Sequence, residues 1–158
     1  MSDSQATKNV LKTWTLIAAA VIILRIIFEQ AGASSAIASI FGVAWLYFLI
    51  PAHLAVTISK SGVAAPYLEL LKNLFFFGLY TRLMVMATYI MAYHFQWTSP
   101  RFQLANGGVV GAESALKGYL LLPLQGAGIW IIMVCIIGMI IGGITLFISS
   151  KKSAGATS

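Results

Sequence analysis

Aspartate is almost missing from this 158-residue chain: Asp3 is the only one, and charged residues of every kind make up 9% against 59% hydrophobic. A soluble domain carries about 25% charged residues, so a chain this poor in charge cannot cover itself with a polar surface. The mean hydropathy of +0.91 agrees. The composition is that of a membrane protein, and its absences narrow the chemistry. A lone aspartate excludes the aspartate-rich metal sites of prenyl transfer, two-metal phosphoryl chemistry and aspartyl proteolysis. No HExxH, GxSxG or GxxxxGK[ST] motif occurs, which removes the zincin, nucleophile-elbow and P-loop readings. The single cysteine, Cys135, has no partner for an intrachain disulfide and lies in an apolar run, where it packs as a small apolar side chain.

Four apolar segments meet the length needed to cross a bilayer, about 20 residues each. They run roughly from 13 to 31, 36 to 59, 73 to 95 and 128 to 150. No formal charge falls between Glu29 and Lys60 or between Lys117 and Lys151, while the first and third segments are interrupted by Arg25 and Arg82. The expected fold is all-α: a single membrane domain, a bundle of four transmembrane helices.

Lysine and arginine set orientation. Lys8 and Lys12, Lys60 and Lys72, and Lys151 and Lys152 mark one side, and the connection QAGASS carries no charge. Both termini are therefore expected in the cytoplasm, with a bacterial inner membrane as the expected location. The connection 96–127 then lies outside although it carries Arg101 and Lys117 against Glu113, a mild contradiction of the charge rule. Ser99-Pro100 should end the third helix. SALKGYLLLPL, from Ser114 to Leu124, is apolar but too short to span, which predicts a short interfacial or re-entrant helix. Trp97, Tyr119 and Trp130 are expected at the outer interface and Trp14 at the inner one. Lys8, Lys12, an apolar run and Ala31-Gly32-Ala33 also suit a cleaved secretory signal, but Arg25 and Glu29 inside the run speak against it.

Ionisable groups inside a bilayer are expensive and read as functional candidates. By helical rise, Arg25 lies about 20 Å beyond Lys12, Arg82 about 15 Å beyond Lys72, and His53 about 10 Å from Lys60. Arg25 and Glu29 can pair across one helical turn. Arg82 has no obvious acid: either Glu29 bridges both arginines, or Arg82 meets a carbonyl, tyrosine hydroxyl, lipid phosphate, bound anion or water. Its own face carries Tyr89 and Tyr93 one to three turns on. His53 shares a stripe with Ser35, Ser39 and Gly42 and is expected to face protein; Pro51 before it suggests a kink. Trp45, deep in its helix, needs a partner for its indole N–H. Gly138 and Gly142 form a GxxxG spacing for close helix packing.

Three functions fit these residues. The first is a non-catalytic subunit or assembly factor of a larger membrane complex. The second is an oligomeric small transporter or channel for an anionic or amphiphilic solute, using Arg25, Glu29 and Arg82 with His53 titrating. The third is a redox or pigment subunit with His53 on haem and arginine on a propionate or quinone oxygen. No cofactor is required by the sequence. The bilayer, other membrane subunits or further copies of the chain are the expected partners, and nucleic acid is not, because the net charge of +6 mostly reports sidedness.

Overall fold

The computed structural model describes residues 3–155, with side-chain surroundings for residues 5–151. The side chain of Lys152, counted above among the topology-setting charges, lies outside them. The described chain is helical, in the order α1 (Asp3–Gln30), α2 (Ser35–Ile40), α3 (Leu46–Lys60), α4 (Pro66–Phe95) and α5 (Leu122–Gly155). Four segments are long and apolar enough to cross a membrane: Gln5–Gln30, Ser35–Lys60, Pro66–Phe95 and Lys117–Lys151.

The core lies between α3, α4 and α5, where Tyr47, Ile50, Leu54, Ile58, Leu70, Leu74, Phe77 and Val134 are almost fully buried. α5 reaches this core because its glycines face its neighbours. A Cβ built at Gly138 would stand 2.8 Å from both Leu74 methyls, and one at Gly142 would stand 2.7 Å from Leu70 Cδ2 and 3.0 Å from the Pro51 carbonyl oxygen. Small residues here let the backbones approach, which in a bilayer replaces the missing hydrophobic drive between helices. The opposite side of α5 is a stripe of exposed isoleucines, Ile129, Ile132, Ile136, Ile140, Ile144 and Ile148. α1 is more peripheral and buries chiefly Ala18 and Ile22.

The second and fourth spans depart from expectation. The second is broken: α2 ends at Ile40, Gly42 adopts extended backbone, and a 3-10 turn over Val43–Trp45 starts α3. Trp45 finds its partner at the break: its indole donates at 3.4 Å to the Ser39 carbonyl, which also accepts from the Gly42 N–H at 3.0 Å. The fourth span starts earlier than 128. SALKGYLLLPL does not form a separate helix: from Ala115 it is helical and runs on into the fourth candidate span, Lys117–Lys151. Pro123 has no N–H to donate, and a π-helical turn over Lys117–Leu121 leads into α5 without ending the helix. Wider turns of this kind absorb a local mismatch in the hydrogen-bond ladder. The first and third helices likewise begin before the expected 13 and 73, at Asp3 and Pro66.

What remains of the 96–127 connection is ordered. Gln96 caps α4 in the left-handed region at φ 51°, and Trp97 N–H donates back to the Ala92 carbonyl at 3.0 Å. Phe102, Val109 and Val110 then bury against Ala92, with Tyr89, Tyr93, Trp97 and Leu122 packed around them. Gly108 passes so close to the Phe102 backbone that a Cβ would fall 2.1 Å from it. The connection is folded onto the helix ends.

Replacing Gly142 by alanine should destabilise the protein by about 1–3 kcal/mol, the usual cost of overpacking. The matched change Gly126→Ala meets nothing within 4 Å and should gain up to about 1 kcal/mol from helix propensity. Unfolding curves of the detergent-solubilised variants check the pair, and equal effects would refute the close-packing role of Gly142.

Candidate functional site

Two groups of polar side chains lie inside the bundle, and the folded connection borders both. The first centres on Glu29 near the end of α1. Its carboxylate accepts from Arg25 Nε at 2.9 Å and faces Arg101 Nε at 2.7 Å; its side chain is only 6% exposed. Glu29 does bridge two arginines, but they are Arg25 and Arg101, not Arg25 and Arg82. Arg101 comes from the 3-10 turn Pro100–Phe102 and lies over the Phe102 ring at 4.2 Å, with Tyr89 at 5.9 Å. Burial pushes the Arg101 guanidinium below its usual range, the Glu29 carboxylate offsets part of this, and Arg25 adds to the depression. Arg25, Glu29, Ser35, Ser99 and Arg101 line a cavity of about 50 Å³, and Gln30 Nε2 donates to Ser99 Oγ at 3.4 Å.

The second group surrounds Arg82, in the middle of α4 and 7% exposed. No carboxylate meets it in any ion pair among the described residues. Its guanidinium lies 4.5 Å from the Trp130 ring and 5.1 Å from the Tyr47 ring, so aromatic faces stand against it. A buried cation over aromatic rings gains about 2 kcal/mol or more, less than full compensation for leaving water. Arg82 Nε is buried with no hydrogen-bond partner. Beside it is a cavity of about 110 Å³ lined by Val85, Met86 and Tyr89 of α4, Gly107 and Val109 of the connection, and Leu122, Pro123, Gly126, Ala127 and Trp130 of α5. Arg82 therefore does not snorkel toward Lys72; it borders a pocket roofed by the connection. Trp130, expected at an interface, stands about 20 Å along the helix from Lys117 and forms the pocket wall.

Tyr89 belongs to both groups, as a wall of the Arg82 cavity and a ring beneath Arg101. His53 belongs to neither. It is exposed on α3, and its Nδ1 accepts from the Trp14 indole at 3.0 Å. The break at Gly42 puts Ser39 and His53 in different helices, α2 and α3. His94 pairs with the Tyr119 hydroxyl at 2.9 Å near the start of the fourth span. Arg101 is the site residue that the sequence concealed, because nothing in a loop marks a charge that folds back into the bundle. Gly138 and Gly142 sit away from both groups, against Leu74 and Leu70. No grouping of His, Cys, Asp or Glu among the described residues could hold a metal ion.

No protein-family model matches this chain, nor does any curated protein or solved structure.

A double-mutant cycle on Glu29→Gln and Arg101→Gln should return a coupling of about 1–3 kcal/mol, because either single change strands a buried charge. Additive effects on unfolding free energy would show that the connection is not held through this pair.

Proposed function

We propose that this chain is a non-catalytic membrane protein that binds an anionic or amphiphilic solute at Arg82. The observation that carries the reading is the buried Arg82 Nε, unpartnered beside a cavity of about 110 Å³. A buried donor without an acceptor is rare and costs about 1–3 kcal/mol, and an anion in the adjoining space removes that cost. Arg25 and Glu29 are spent on each other and on Arg101, so they brace the roof while Arg82 and Tyr89 face the ligand. His53 as a proton-coupling group or haem ligand loses support, since it is exposed and away from Arg82. The exposed isoleucine stripe of α5 favours a second reading, a subunit of a larger membrane complex that meets its partner, or another copy, along that stripe.

Native mass spectrometry of protein gently solubilised from its own membrane separates the two. The expected result is a bound small anionic mass that is present in the wild type and missing in Arg82→Gln. A stoichiometric protein partner with no such mass would favour the subunit reading instead.

We further propose that both termini face the cytoplasm of a bacterial inner membrane, with the 96–116 connection outside. The support is Lys8, Lys12, Lys60, Lys72 and Lys151 at one set of helix ends. With Cys135 replaced by serine, Asn106→Cys should react with a membrane-impermeant maleimide in intact cells, and Ser61→Cys should react only after lysis. The reverse pattern would invert the topology.

A further inference from the structure

We infer that the Arg82 cavity is a carboxylate site, taking the headgroup and first carbons of a carboxylate-headed amphiphile whose tail leaves sideways past Trp130 into the bilayer. This rests on Arg82 as an anion site and adds the class of anion.

The charge around the cavity points to a monoanion. Arg82 is the one formally charged residue in its lining. The nearest other cations, Arg101 and Arg25, face the Glu29 carboxylate at 2.7 Å and 2.9 Å and line the separate, smaller cavity. A carboxylate beside Arg82 makes a neutral pair. A phosphate monoester carries about −1.5 to −2 at neutral pH and would leave uncompensated negative charge in a low-dielectric site, where it is costly. A cationic amphiphile would set two positive charges together.

Hydrogen bonding agrees with this count. The Trp130 and Tyr47 rings lie against the guanidinium, and Nε on its edge has no partner. An unpartnered N–H suits a carboxylate oxygen, which accepts a charge-assisted hydrogen bond from a guanidinium.

Size and walls supply the rest of the ligand. The cavity of about 110 Å³ has the room of a few water molecules, each about 30 Å³ in the liquid, enough for a carboxylate and its first carbons. Beside the polar surface of the lining, Val85, Met86, Val109, Leu122, Pro123 and Ala127 give the cavity an apolar side. Trp130 is 39% exposed, so the cavity wall is also the outer surface of the bundle. A longer chain can pass there and lie along α5.

The test uses the full chain in detergent, with radiolabelled decanoate in equilibrium dialysis and decyl phosphate and decyltrimethylammonium as competitors. One decanoate per chain is expected, binding about tenfold or more weakly in Arg82→Gln, as loss of a charged hydrogen bond implies. Decyl phosphate should compete at least about tenfold less well than unlabelled decanoate, and the ammonium not at all. If decyl phosphate displaces decanoate at equal or lower concentration, the carboxylate assignment falls while Arg82 stands as an anion site. If Arg82→Gln binds decanoate as the wild type does, or the wild type binds neither anion, the anion site falls as well. Ala127→Phe puts a bulky ring into the cavity lining while keeping Arg82, and covers the case in which Arg82→Gln does not fold. It should weaken decanoate binding at an unchanged melting temperature, and undiminished binding would overturn the placement of the ligand.

Discussion

Charge burial without enough acid to match it is the constraint on which this molecule turns. Three arginines, Arg25, Arg82 and Arg101, lie largely out of solvent with Glu29 as the single carboxylate among them. In a bilayer, helices gain little by hiding apolar surface from one another, so the positions of these few charges weigh heavily on the arrangement. Glu29 joins segments far apart in sequence: its own helix through Arg25, and the connection after α4 through Arg101. The connection is thereby drawn against the end of α1 and over the cavity beside Arg82.

The backbone irregularities serve the same arrangement. At Gly42 the second span opens into an extended residue and a 3-10 turn, and a Cβ there would lie 2.9 Å from the Ser39 carbonyl oxygen and 3.4 Å from Arg25 Nη1. A larger residue would press on the arginine that Glu29 holds. The π-helical turn before Pro123 lets α5 begin beside the folded connection, and Gly118 within it makes room for Tyr93, whose ring would lie 2.3 Å from a Cβ. Non-helical backbone at these depths is tolerated where it is packed within protein. Both breaks adjoin the polar groups and not the exposed isoleucines of α5.

Much of this was legible in the chain. Hydropathy alone locates four spans, because the cost of exposing apolar surface is paid residue by residue along the sequence. The Arg25–Glu29 pair follows from spacing on one helix. The face of His53 did not, since the stripe assumed one unbroken helix from Ser35 to Lys60, and a 3-10 turn in a wholly apolar run carries no polar signature. SALKGYLLLPL reads as a short helix of its own because it is apolar over too few residues to span, and nothing local marks the π-helical turn that joins it to α5. Arg101 was hidden most completely. Its place depends on Phe102, Val109 and Val110 burying a loop against Tyr89 and Ala92, a tertiary event that no local pattern records.

The arginines have met the bilayer in unlike ways, and the difference bears on what each can still do. Arg25 and Arg101 face a carboxylate, so another anion brought to them must compete with Glu29 and pay again for its own desolvation. Arg82 faces ring quadrupoles, which attract a cation without neutralising it. Its charge meets no carboxylate, and its buried Nε has no hydrogen-bond partner beside the cavity. Of the three, Arg82 therefore has the most to gain from an incoming anion. The net +2 of the group, raised in a medium that screens little, also reaches the Glu29 end of the connection, where Arg101 lies above Tyr89.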